Sequence, residues 1–371
     1  MSIRVRGFAG LLFLVLVGIL LMSCGSSSSR PAGVLLMTSQ GATEVTSYGI
    51  NLDSGALSQI NTSATTQNVP SAIVLDPSGA FAYVANTASN TLSVYSVNAN
   101  GTLAAVSGNP ATGTVPVALA IDSAGHFLFV ANQGSNNISV FSVGSGGSLT
   151  EVAGSPFPTG STPTPTSPST ASPAGVAVAP SGNFLYVANQ GQETISVFSI
   201  DSSGALTPLF SPFTAGTAPT AIAVATIIGS PALSILYVAN QGSSNVSAFT
   251  INSDGSLAAI GGSPFAAGLG PVSAAIDPSV NFLYVADLNS NQLSGYRIDP
   301  STGALTAFSP ATVSTGSRPV FVAIHPGGQY LYVANNGSDS ISGFKLTAKS
   351  GALTPLASVT SASRPAGIVL K

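Results

Sequence analysis

The chain has 371 residues, of which only 6% are charged and 44% apolar, with 40 Gly, 25 Pro, no Trp and a single Cys. So low a charge excludes charge-driven disorder. Nine Lys and Arg against 12 Asp and Glu give no basic face for nucleic acid, and one thiol leaves neither an intramolecular disulfide nor a Cys-based metal site. Stability must come from packing of an evenly apolar, turn-rich chain, which points to an all-β protein.

In chain order, Arg4 and Arg6 precede an apolar stretch from Phe8 to Met22, then Leu21-Met22-Ser23-Cys24 and four serines after Gly25. Residues 1–23 have the charge, apolar run and small-residue end of an export signal. The run is shorter than the roughly 20 residues a spanning helix needs. The segment ending in Cys24 resembles the lipobox of bacterial lipoproteins, so Cys24 is the expected lipidation site. At about 0.8 kcal/mol per buried methylene, several acyl chains there would hold the chain to a membrane. Residues 24–31 then read as a lipidated Cys and flexible tether, and the expected location is the bacterial cell-envelope membrane.

Beyond the tether one pattern repeats, at a spacing of 46 to 51 residues apart from one longer interval. An aromatic-Val-Ala-Asn/Asp run occurs at Tyr83–Asn86, Phe129–Asn132, Tyr186–Asn189, Tyr237–Asn240, Tyr284–Asp287 and Tyr332–Asn335. A second aromatic follows 12 positions later, at Tyr95, Phe141, Phe198, Phe249, Tyr296 and Phe344, and then a Gly-x-Leu. Before each run a proline opens an apolar segment, at Pro70, Pro116, Pro173, Pro219, Pro271 and Pro319. Each unit thus holds four short strands, and such periods mean propellers or solenoids.

The two ends complete one further unit. Leu36, Tyr48 and Gly55-Ala56-Leu57 supply three of its strands, and Pro365–Leu370 supplies the opening strand with nothing after it. The expected fold is therefore an all-β, seven-bladed β-propeller of four-stranded blades over residues 32–371, its ring closed by N- and C-terminal segments sharing one blade. Closure of that kind removes exposed sheet edges. The alanine-rich opening strands, such as Val117–Ile121, are expected to be buried on both faces near the axis. The Pro-, Thr- and Ser-rich segment 155–172 is expected to be a loop insertion.

Tyr-Val-Ala-Asn followed by Ile-Ser-Val-Phe-Ser, as at Tyr186 and Ile195, resembles the YVTN-type propeller repeat and the seven-bladed lactonase family that includes 6-phosphogluconolactonase. The resemblance covers roughly Ala32 to Lys371. It implies a site at one mouth of the central channel, where members carry Pro-Arg-His opening an inner strand and Asn-Glu ending the next. Here the residues after the prolines include Val117-Ala118, Thr220-Ala221 and Val320-Phe321, and the strand-ending pairs are Asn132-Gln133, Asn189-Gln190, Asn240-Gln241 and Asn335-Asn336. Glutamine cannot serve as a carboxylate base.

With charges so scarce, the blade register gathers one candidate cluster: Asp287 at the end of a second strand, with Arg318 and Arg364 before the next two opening prolines. Glu44 and Asp339 fall in loops at the same mouth. Two guanidinium groups can grip a carboxylate or phosphate bidentately, and Asp287 is the candidate catalytic base. The competing reading is a solvated set of loop charges. The amides Asn132, Gln133 and Asn335 are further ligand-binding candidates, against a plain role as strand-end residues. His126 and His325 align with turn positions at the opposite mouth, as do Asp76, Asp122 and Asp277, and all five are expected to be turn residues. No metal or cofactor motif occurs.

Three functions stay open. The first is a membrane-anchored envelope module, monomeric, binding an envelope protein, a glycan or a small anionic ligand; the second is a lactonase acting on a sugar lactone at the channel mouth; the third is a structural surface-layer component.

Overall fold

In the computed structural model, residues 33–160, 171–229 and 232–371 are described. They form seven antiparallel sheets and, among the described residues, no helix. The inner strands are Pro70–Leu75, Pro116–Ile121, Pro173–Val178, Pro219–Ile227, Pro271–Ile276, Pro319–Ile324 and Pro365–Leu370, here opening blades 1 to 7. Each is followed outward by strands in simple succession. The outer strand is broken in several blades: in blade 2, Leu149–Glu151 and Phe157–Pro158 each pair with a different half of Asn137–Val143. Phe157 and Pro158 thus belong to a blade edge, while residues 161–170 of the expected insertion lie outside the described residues.

Blade 7 is built from both ends. Gly33–Ser39 pairs on one side with Glu44–Ile50 and on the other with Pro365–Leu370, placing Met37 opposite Ile368.

The second and third strands carry the core. Phe184–Asn189 is buried along nearly its whole length and Thr194–Ile200 through its middle four residues, because each blade face packs on the next. Tyr186, Ile195 and Val197 of blade 3 meet Leu236, Val238 and Phe249 of blade 4, and each such side chain contributes about 1.5–3 kcal/mol. The inner strands differ from the sequence expectation: Val117 to Ile121 are only partly buried. They face an open axial channel, so small side chains there keep the channel open as well as fitting the taper.

The Gly-x-Leu and aromatic signals meet across the seams. The Tyr186 hydroxyl donates to the Gly255 carbonyl of the next blade at 3.0 Å, and Tyr237, Tyr284 and Tyr332 do the same to Gly303, Gly351 and Gly55. Gly255 has φ 88°, and a Cβ there would lie 2.6 Å from the Phe184 ring. Both the backbone conformation and the ring contact demand glycine.

Candidate functional site

All seven opening prolines lie at one mouth, and the residue before each adopts a left-handed conformation: Val69, Val115, Ser172, Ala218, Gly270, Arg318 and Arg364, with φ from 49° to 69°. Such a conformation costs about 1–2 kcal/mol in a non-glycine residue. At Val115, Ser172, Arg318 and Arg364 it is held from the preceding blade, where a turn side chain accepts the residue's N–H. Val115 donates to Asn90 Oδ1 at 2.8 Å, Arg318 to Asn291 Oδ1 at 2.7 Å and Arg364 to Asp339 Oδ1 at 2.7 Å. The backbone that carries each arginine is therefore fixed by its neighbour.

Below this rim lies an axial cavity of about 480 Å³. The first residues of the inner strands line it, among them Val117, Ala118, Gly175, Thr220, Ser273 and Phe321, and its rim carries Gln40, Arg318, Asn336 and Arg364. The hydroxyls in the lining serve the seams: Thr220 Oγ1 donates to the Ala239 and Pro271 carbonyls, and Ser273 Oγ accepts from the Val322 N–H. The lining holds no carboxylate and no imidazole. Arg318 and Arg364 are exposed, and the stem of Arg318 packs over Gly337.

Asp287 has a different setting. It is fully buried and is not part of the lining, occupying the strand-end position that Asn86, Asn132, Asn189, Asn240 and Asn335 hold elsewhere. Those amides donate to a serine seven residues on, as Asn132 does to Ser139 Oγ at 2.9 Å and Asn335 to Ser342 Oγ at 2.9 Å. In blade 5 the direction reverses, and Ser294 Oγ donates to Asp287 Oδ2 at 2.7 Å. Burial pushes the Asp287 carboxyl up to about 7, and hydrogen bonds from Ser294 and Gly268 counter only part of that. The structure thus brings Arg318 and Arg364 to one cavity and leaves Asp287, Asn132 and Asn335 beneath the adjoining turns.

Gln133 stands in a chain of amides on another arc of the mouth, donating to Gln190 Oε1 at 3.1 Å, with Gln190 reaching Gln241 Oε1 at 3.5 Å. Gln40 and Asn336 are not among the ligand-binding candidates read from the sequence, although Asn336 ends the pair Asn335-Asn336. Their signal was available, since each follows a strand end in the register of Gln133 and Gln190.

A family described as a seven-bladed β-propeller lactonase matches residues 41–162, 155–266, 210–324 and 270–370. The chain belongs to this lactonase family. Among solved structures it is similar to a candidate 6-phosphogluconolactonase from Bacteroides uniformis, with TM-score 0.79 and 20% identity over 91% of this chain and 99% of that one. It is also similar to the periplasmic gluconolactonase of Pseudomonas aeruginosa, with TM-score 0.77 and 22% identity over 91% and 98%. A candidate 6-phosphogluconolactonase from Bacteroides fragilis gives 0.78 and 21% over 93% and 99%. No curated protein matches. At these identities the structural likenesses show the fold of the lactonase family.

Asp76, Asp122 and Asp277 cap turns at the far mouth, each accepting a backbone N–H at 2.6 Å, from Phe81, Phe127 and Phe282. His325 is buried in the equivalent turn rather than at the surface, with Nδ1 accepting the Gly327 N–H at 3.0 Å. Burial holds its pKa below the usual histidine value. His126 is exposed. Among the described residues no group of three or more His, Cys, Asp or Glu could hold a metal ion, and no helix is long and apolar enough to cross a membrane. Cys24 and the signal lie outside the described residues.

Proposed function

We propose that the protein hydrolyses a small sugar lactone bound in the axial cavity. The observation that carries this reading is the pair Arg318 and Arg364 at the rim of that cavity, in a chain of the lactonase family. Water adds to the lactone carbonyl carbon, the ring C–O bond breaks, and the ring oxygen takes up a proton. The products are a hydroxy-carboxylate and one released proton. Charge develops first on the carbonyl oxygen and ends on the carboxylate, and both suit guanidinium groups carried at the rim on a fixed backbone. The lining supplies no base, so rate enhancement rests on that electrostatic stabilisation and on positioning.

The test is hydrolysis of glucono-δ-lactone and its 6-phospho derivative by the chain from residue 30 onward, with Arg318→Ala/Arg364→Ala and Asp287→Asn beside it. A loss of about 10²–10³ in kcat/KM in the double variant supports the reading. Rates equal to the uncatalysed reaction overturn it. The second reading is a monomeric envelope module that binds an anionic ligand or glycan without chemistry. It is favoured by the lack of any carboxylate or imidazole in the lining, and inactive protein that still binds sugar acids through the two arginines would select it.

We further propose export and anchoring through lipid on Cys24. Cys24→Ala should move the protein from the membrane fraction to the soluble fraction of the envelope.

A further inference from the structure

All six Lys and Arg between residues 33 and 371 lie at or beyond Arg297, while ten of the twelve acids precede it. A second cavity, of about 220 Å³, lies in the seam between blades 5 and 6, and two of these cations, Arg297 and Lys349, are two residues and one residue along the chain from its lining residues Gly295 and Ser350. Its walls include Tyr284, Leu293, Phe308, Val313 and Leu353.

Two small residues line the hollow. Gly295 occupies the third-strand position that Val94, Val140 and Val197 fill in blades 1 to 3. Val313, opposite Leu293, takes the outer-strand position that Phe157, Phe213 and Phe265 fill in blades 2 to 4. Two volume losses therefore coincide on one blade face. Blade 6 has the same pair in Gly343 and Val359, but there Leu356 packs over the glycine; in blade 5 Phe308 takes that place, and a Cβ at Gly295 would lie 2.5 Å from its ring.

Leu293, Gly295 and Arg297 alternate along one strand, so they share a face. Arg297 lies about 7 Å beyond Gly295 along the strand. Blades 1 to 4 place Ser96, Ser142, Ser199 and Thr250 there. The guanidinium is exposed, sits 5.2 Å from the centre of the Phe282 ring, and donates to the Lys349 carbonyl at a long 3.4 Å. Lys349 is exposed and adjoins Ser350 of the cavity wall. The nearby Asp299 carboxylate is engaged by the N–H groups of Ser301 and Thr302.

We infer that this seam is a second ligand site, separate from the axial cavity, for a small organic acid with a single aromatic ring. An apolar cavity of about 150 Å³ holds benzene, so 220 Å³ accommodates one ring and part of its substituent. The ring lies against Phe308 and Leu353, and the carboxylate meets Arg297 with Lys349 beside it. An uncharged or cationic analogue lacks that charge-assisted contact.

Isothermal titration of the chain from residue 30 onward with benzoate, benzyl alcohol and benzylamine tests the site, with Arg297→Gln and Val313→Phe compared. Benzoate should bind saturably at millimolar concentration or below, about tenfold tighter than benzyl alcohol, and benzylamine should not bind. Arg297→Gln should remove the preference for the acid. Val313→Phe, which restores the side chain of blades 2 to 4, should abolish binding without lowering the thermal midpoint. Absence of saturable benzoate binding, or binding indifferent to both substitutions, overturns the inference.

Discussion

Ser294 donates its hydroxyl hydrogen to Asp287 at 2.7 Å, where five sibling blades set an asparagine that donates the other way. The second carboxylate oxygen is buried without a partner, and burial raises the carboxyl to about 7. The native state therefore binds a proton between about pH 4 and 7 that the unfolded chain has released, so stability falls as pH rises through that window and stays low above it. Asp287→Asn removes the penalty. The variant should match the parent near pH 4 and exceed it above pH 7 by up to a few kcal/mol, read as denaturant midpoints across the pH range. Because Asp287 stands outside the cavity lining, lactone hydrolysis should persist in the same variant.

The contact between Asp339 and the Arg364 N–H links blade 6 to the opening of blade 7. Asp339→Ala leaves a left-handed residue before Pro365 without its acceptor. A loss of about 0.5–1.5 kcal/mol is expected, together with a rise in KM for an anionic lactone as Arg364 loses its fixed origin. Asp339→Asn keeps the acceptor oxygen and should recover both.

How far such a site is legible before the structure depends on whether the repeat speaks to it. The seven blades, their closure and the common mouth of Arg318 and Arg364 follow from register, because a repeat carries position as well as composition. Whether Asp287 faces the cavity or the turn beneath it does not, since one strand end can serve either. The alanine-rich inner strands misled for a similar reason: small residues suit a tight core and an open channel equally. Gln40 and Asn336 were readable from the register of Gln133 but differ from it in chain position, one belonging to the split blade. The seam cavity beside Gly295 is lined by two small residues in different strands, Gly295 and Val313, which only pairing brings together, and the same pair in blade 6, Gly343 and Val359, is packed by Leu356 rather than Phe308.

The inter-blade tyrosines give a comparison within one chain. Tyr237 donates to the Gly303 carbonyl at 2.6 Å, whereas the hydroxyl of Tyr83, at the same repeat position, is buried without a partner. Tyr237→Phe should cost about 1–3 kcal/mol by leaving a carbonyl unsatisfied. Tyr83→Phe removes an unpaired buried hydroxyl and should be neutral or stabilising. Urea midpoints of the two variants decide it; equal losses would mean that the hydroxyl bonds are not what distinguishes the seams.

The ring closes only because Pro365–Leu370 supplies the inner strand to a blade whose other strands lie at the start of the chain. Removing residues 365–371 would strip Gly33–Ser39 of its inner partner and expose Ile368's contacts with Tyr332 and Leu35 in the blade 6 to blade 7 core. It would also remove Lys371, whose Nζ donates to the Gly79 carbonyl of blade 1 at 2.7 Å. An unpaired inner edge recruits other chains. The truncated protein should leave gel filtration as higher-order species or fail to accumulate, and a synthetic peptide of residues 365–371 added during refolding should restore a fraction of monomer. Monomeric truncated protein with an unchanged melting midpoint would show that blades 1 to 6 hold the ring without the shared blade.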